Sequence, residues 1–196
     1  MSEASSKPLV VGIGGTMRPN SFSERMVRAV LAAAEREGAA TLMFGGPQLA
    51  VLPHYAPEAQ ERTPEQMALV DAIRRADGVV IGTPGYHAGV SGLVKNAIDL
   101  LEDLRTDTRC YFEGRAVGLV VTAAGWQACG VTLQAMRGIV HAMRGWPTPI
   151  AVTINSVADD PFDPDGALVE GPLRDTVAAM ARQVLSRIST PQAVGV

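Results

Sequence analysis

The sequence predicts an α/β fold: a five-stranded parallel sheet, doubly wound with helices on both faces, to which analogy with other doubly wound sheets assigns the order 2-1-3-4-5. Short apolar runs that do not alternate, such as Leu9-Val10-Val11 and Val79-Val80-Ile81, read as strands buried on both faces. Between them, apolar residues recur every three or four positions, the spacing of a helix packed along one stripe. The chain has 196 residues, 47% of them hydrophobic, which suits one domain over 1–196 burying about 70% of its unfolded surface. Residues 1–7 and 190–196 are expected to fray. Parallel strands need long right-handed crossovers, so five strands alternating with five helices imply a sheet covered on both sides.

Strand one is expected at 9–14, where an apolar run ends in glycines. Ser21 and Glu24 form a capping-box pattern, and Val27, Val30, Leu31 and Ala34 carry helix one to Gly38. Residues 40–44 read as strand two, and a turn-rich segment then runs to Thr63-Pro64. Thr63, Pro64 and Gln66 supply an N-cap, a first-turn proline and a capping glutamine, and Met67, Val70 and Ile73 continue helix two toward Asp77-Gly78. Strand three is 79–81, broken by a loop over 82–91. Leu93, Ala97, Leu100, Leu101 and Leu104 mark helix three. Strand four is 116–122, followed by a loop at 125–130. Leu133, Met136, Val140 and Met143 place helix four before Gly145-Trp146-Pro147, strand five is 150–154, and Leu173 to Ile188 form helix five.

Seventeen Lys and Arg against 20 Asp and Glu leave a formal charge of −3. No basic run matches a row of phosphates, so a nucleic-acid partner is not expected. No apolar stretch reaches the ~18 residues of a membrane helix, and the N-terminus lacks the apolar core of a signal peptide, so the expected location is cytoplasmic. Cys110 and Cys129 sit in no CxxC pair and near no histidine at ligand spacing; they read as packing residues.

In a parallel sheet ligands sit beyond the carboxyl ends of the strands, where strand order reverses. Three strand-to-helix loops stand out: 14–23, 82–91 and 123–131. The first, Gly-Gly-Thr-Met-Arg-Pro-Asn-Ser-Phe-Ser, leads into a helix start. Helix N-terminal amides, hydroxyls and a guanidinium together suit a phosphate. A dinucleotide GxGxxG would begin at Gly12 and Gly14 but meets Met17 at its third glycine, and the Walker pattern is absent. The plainer alternative is that Ser21 only caps helix one while Arg18 is solvated.

The segment GGTMRPNSFSER resembles the GSxRxxSxN phosphate loop of NAD(P)H-dependent FMN reductases, and TPGYHAGVSGLVKNAID resembles their PxYxxxxSGxLKNxID segment. By element order the resemblance covers about 8–155. It implies a flavodoxin-like fold with FMN across the carboxyl edge of the sheet and NADH or NADPH as electron donor. Position by position, Thr16, Arg18, Ser21 and Ser23 would hold the phosphate; Ser23 stands where the family often has Asn. Pro84, Gly85, Tyr86, His87 and Gly89 would lie along the ring, and Ser91 would start helix three. Ala124, Gly125 and Trp126 complete the expected site, although Trp126 puts a large ring where the family has small residues.

Other candidates have plainer readings. Lys95 and Asp99 at i and i+4 fit a surface ion pair, His54 and His141 fit ordinary surface positions, and Ser91 lacks the GxSxG elbow of a hydrolase. No acid, base or nucleophile is expected to be catalytic, because the flavin carries the chemistry. The expected activity is hydride transfer from a nicotinamide nucleotide to FMN and on to a flavin, quinone, azo dye or oxygen, with a flavin-dependent monooxygenase as one destination. The alternatives are a flavodoxin-like electron carrier without nicotinamide turnover and an interaction module that has lost its cofactor. A homodimer or homotetramer is expected from the resemblance and from Val94 and Ile98, which fall outside the main stripe of helix three.

Overall fold

The computed structural model describes residues 7–158 and 160–187. The expectation of frayed ends falls almost wholly outside these residues, as does Ile188. The chain runs β1 (Leu9–Gly14), α1 (Phe22–Arg36), β2 (Ala40–Phe44), α2 (Gly46–Ala50), α3 (Pro64–Arg75), β3 (Gly78–Tyr86), β4 (Gly89–Val90) and α4 (Gly92–Asp99). A 3₁₀ turn (Leu100–Leu104) extends α4, and then come β5 (Ala116–Ala123), α5 (Trp126–Ala142), β6 (Trp146–Pro147), β7 (Val152–Asn155) and α6 (Pro172–Ser186). The fold is α/β, with a parallel sheet and helices on both faces.

The sheet differs from the expected five strands in two respects. Its order is β2-β1-β3-β5-β6, with β4 antiparallel to β3 and β7 parallel to β5. First, β3 does not stop at Ile81 but runs on to Tyr86, so much of the expected loop is strand. It turns back through His87 and Ala88, with φ of 50° and 63°. Positive φ at both central residues is the signature of a two-residue hairpin whose twist matches its strands, although neither residue is the usual Asn or Gly. Second, the last parallel position is filled by two short pieces, β6 beside Ala116 and Val117 and β7 beside Val120 to Ala123. Pro147 and Pro149 lie at the break, where a missing N–H makes a continuous ladder costly.

Period-two alternation sorts the strand residues between two cores. Val11, Ile13, Val79, Ile81, Val117 and Leu119 face one cluster, packed by α3, α4 and α5. Val10, Val80 and Val120 face the other, packed by α1 and α6. Val94 and Ile98 are 0% and 3% exposed within the first cluster. They are core residues and not a spare apolar face, which removes the physical support they lent to a dimer.

Several local expectations are corrected by tertiary contacts. Residues 46–50 form a short helix inside the expected turn segment. That segment is pinned by Asn96, whose Oδ1 accepts from Tyr55 N at 2.8 Å and whose amide donates to Pro53 O at 3.1 Å. The expected loop after β5 is brief, because α5 starts at Trp126. Lys95 and Asp99 do pair at 2.5 Å, but with side chains 44% and 39% exposed the pair contributes only tenths of a kcal/mol. Both cysteines are buried, with Cys110 Sγ donating to Arg105 O and Cys129 Sγ to Ile154 O. Burial pushes the Cys129 thiol pKa up.

At the amino edge of the sheet Arg115 is fully buried and makes no salt bridge among the described residues. Its Nε, Nη1 and Nη2 donate to the carbonyls of Ala76, Tyr111 and Arg74, each at 2.8 Å. Two of these, Arg74 O and Ala76 O, are carbonyls at the end of α3, and loss of solvation, helped by Arg109, pushes the pKa of Arg115 down to about 10. Arg115→Leu leaves those carbonyls without donors at a cost of about 3 kcal/mol. The melting temperature should then fall by roughly 6–12 °C for a domain of this size. A circular-dichroism melt that matches wild type would count against this clamp.

Candidate functional site

Three connections meet at the carboxyl edge, each arriving there because parallel strands deliver their following loops to one side. The first leaves β1 at Gly14 and enters α1 through Ser21, whose Oγ accepts from Glu24 N at 3.4 Å as N-cap. Thr16 Oγ1 accepts from Arg18 N at 3.0 Å, which closes a tight turn in the loop. Ser21 and Ser23 are 7% and 1% exposed, and their hydroxyl oxygens lie 3.4 Å apart. The capping box expected from Ser21 and Glu24 is only half formed. The Glu24 carboxylate turns away to Gly46 N and Arg28.

The second connection is the extended end of β3. Thr83, fully buried, accepts from Ser91 N at 3.0 Å and donates to Pro84 O at 2.9 Å, tying the start of α4 to the strand end. Ser91 Oγ accepts from Val94 N at 3.3 Å, so this serine is the N-cap of α4. The third connection is the end of β5 with Ala124, from which α5 departs.

Between them lies a cleft of about 650 Å³, within the range of cofactor sites. Thr16, Arg18, Ser21 and Ser23 line one end, and Pro84, Gly85, Tyr86 and Ala124 line the rest. Four other expected residues are not in its wall: His87, Gly89, Gly125 and Trp126. The β3–β4 hairpin holds His87 at its exposed tip, and Trp126, 58% exposed, stands on the first turn of α5. Thr122 and Ser156 also line the cleft, and no local motif marks either of them. They get there through strand pairing, since Ser156 N donates to Ala123 O at 2.8 Å.

The electrostatics favour an anion at the loop end. No Asp or Glu is among the lining residues, and Arg18 has no ion pair among the described residues. Helix α1, 15 residues long, brings roughly half a positive charge to its N-terminus.

A model of the family described as NADPH-dependent FMN reductase matches residues 8–159. The chain belongs to the NADPH-dependent FMN reductase family. It is 39% identical over 105 residues to a quinone reductase of Escherichia coli K12, an alignment covering 51% of this chain and 53% of that protein. The chain thus spans about half the length of the curated relatives it matches. FerB of Paracoccus denitrificans, a flavoenzyme NAD(P)H:(acceptor) oxidoreductase, superposes with a TM-score of 0.71 at 21% identity, over 93% of this chain and 99% of FerB. A flavodoxin of Streptococcus pneumoniae TIGR4 gives 0.58 at 13% identity, over 91% of this chain and 99% of that chain. Both likenesses are of fold, which is flavodoxin-like.

The residues present fit the cofactor that gives this FMN reductase family its name. One end of the cleft offers buried hydroxyls, the Arg18 guanidinium and a helix N-terminus to a phosphate. The other end offers the ends of β3 and β5, with Pro84, Gly85 and Ala124 beside the space a ring would take. Trp126 is near that end, whereas Trp146 pairs with Ala116 at the far end of β5, seven residues or about 23 Å away. FMN should therefore quench Trp126 more than Trp146, and Trp126→Phe should remove the larger share of the quenching. Equal losses from Trp126→Phe and Trp146→Phe would contradict a ring at this end of the sheet.

Proposed function

We propose that this protein is an NAD(P)H-dependent oxidoreductase that holds FMN in the carboxyl-edge cleft and passes electrons to a flavin or quinone. The observation that carries this reading is the juxtaposition in one cleft, free of lining carboxylates, of a phosphate-suited loop and the ends of two strands. Membership of the FMN reductase family and the quinone reductase relative support it.

When bound, FMN supplies a ring that accepts hydride and returns electrons. The protein's own work is binding and orientation. Arg18, Thr16, Ser21, Ser23 and the first amides of α1 neutralise and bond the phosphate, while Pro84, Gly85, Tyr86 and Ala124 set the ring plane. Gly89, Gly125 and Trp126 support that end from outside the wall, and the exposed His87 faces incoming reactants. A titrating side chain is not needed to move hydride, which suits a cleft whose only ionisable lining groups are Arg18 and Tyr86. The proposed assembly is a homodimer or homotetramer, now resting on the family resemblance, and a monooxygenase fed with reduced flavin is a further proposed partner.

Protein reconstituted with FMN should oxidise NADH or NADPH anaerobically with bleaching of the bound flavin, followed by reoxidation on adding a quinone. A flavin that stays oxidised with both nucleotides would overturn the enzyme in favour of an electron carrier. Arg18→Ala removes charge-assisted bonds worth roughly 1.5–3 kcal/mol, about ten- to a hundredfold in affinity. Its FMN affinity should drop accordingly, while riboflavin, which lacks the phosphate, should bind nearly as before. An unchanged preference for FMN over riboflavin would overturn the phosphate assignment.

A further inference from the structure

We propose that Glu24 is a positioning residue that sets the geometry of the phosphate loop, and through it the preference for a phosphorylated flavin. This rests on the proposed seat for FMN.

Glu24 lies in the first turn of α1, yet its side chain is only 11% exposed. A buried carboxylate is costly unless both oxygens are bonded, and here both are. Oε2 accepts from Gly46 N at 3.0 Å, and Oε1 accepts from Arg28 Nη2 at 2.7 Å and Nε at 3.1 Å. Gly46 N is the first amide of α2, so one carboxylate joins two elements that are otherwise separate in the chain.

Three glycines make room for this contact. A Cβ on Gly45 would lie 2.6 Å from Glu24 Oε1, and one on Gly15 would lie 2.7 Å from Gly46 N and 3.1 Å from Glu24 Oε2. A Cβ on Gly46 would collide with the carbonyl oxygen of Thr16. Gly15 and Thr16 open the phosphate loop, so the loop rests directly on a Gly45-Gly46 shelf held in place by Glu24. Gly15 has φ of +135°, a conformation open to glycine and rarely adopted by side chains, so both backbone and space keep a Cβ out of this contact.

A carboxylate this close to an anion seat has two opposing effects. Its charge repels a phosphate, whereas its hydrogen bonds fix the loop that binds one. If charge dominates, removing it should strengthen FMN binding whatever replaces it. If positioning dominates, Glu24→Gln, which keeps the shape and an acceptor for Gly46 N, should stay near wild type. Glu24→Ala, which frees the Gly46 amide and leaves a void under Gly15 and Thr16, should weaken FMN selectively.

The test is to titrate wild type, Glu24→Gln, Glu24→Ala and Gly46→Ala with FMN and with riboflavin, recording a melt for each. Glu24→Ala is expected to lose about tenfold in FMN affinity with riboflavin changed less than about twofold, and Glu24→Gln to stay within about threefold for both. Gly46→Ala pushes on Thr16 from the other side and should show the same selective loss with Glu24 intact; it reads the role of the shelf if Glu24→Ala does not fold. Unchanged or tighter FMN binding in Glu24→Ala, or parallel losses for both flavins, would overturn the proposal while leaving the cleft assignment standing. Equal affinity of wild type for FMN and riboflavin would overturn the cleft assignment and this proposal with it.

Discussion

Parallel strand pairing is the constraint on which everything else depends. When β1, β3 and β5 run the same way in adjacent positions, each must hand its chain to a helix at the same edge, and three connections converge there without any contact designed for the purpose. The cleft is the space those connections leave. Its electrostatic character follows from the same geometry, because each following helix starts at that edge with its amides and positive dipole end facing outward.

The two edges of the sheet solve opposite problems. At the amino edge the last carbonyls of α3 need donors, and a buried guanidinium, Arg115, supplies two of them while bonding Tyr111 O with its third nitrogen. At the carboxyl edge the first amides of α1 need acceptors. There Ser21 takes one, and the amide that Glu24 satisfies belongs to α2. A carboxylate is thus engaged between α1 and α2 while no Asp or Glu lines the cleft, a division that suits an anionic cofactor.

Much of the site was legible along the chain because its parts are local. Ser21, Thr63 and Ser91 announce helix starts by residue type, and each is an N-cap in the structure. Thr16, Arg18, Ser21 and Ser23 lie within eight residues of one another, and one turn between a strand and a helix is enough to bring them together. The readings that changed depend on distant partners. Whether 82–84 is loop or strand turns on pairing with β5, 85 and 86 then pair with β4 in the hairpin, and whether Val94 and Ile98 face solvent turns on the core they meet. Glu24 fits the spacing of a capping box, but Gly46, 22 residues away, and Arg28 take its two oxygens.

By itself the sequence determined the alternation of strands and helices, the N-caps Ser21, Thr63 and Ser91, and the polar make-up of the loop at 14–23, because these follow from spacing and local hydrogen-bonding chemistry. Only the tertiary structure decided that β3 overruns into a hairpin, that the last strand divides in two, that Ser156 joins the cleft and that His87 and Trp126 stand outside its wall. The physical reason is that burial and strand pairing depend on what a residue meets across the fold, and periodicity carries only which residues can share a face.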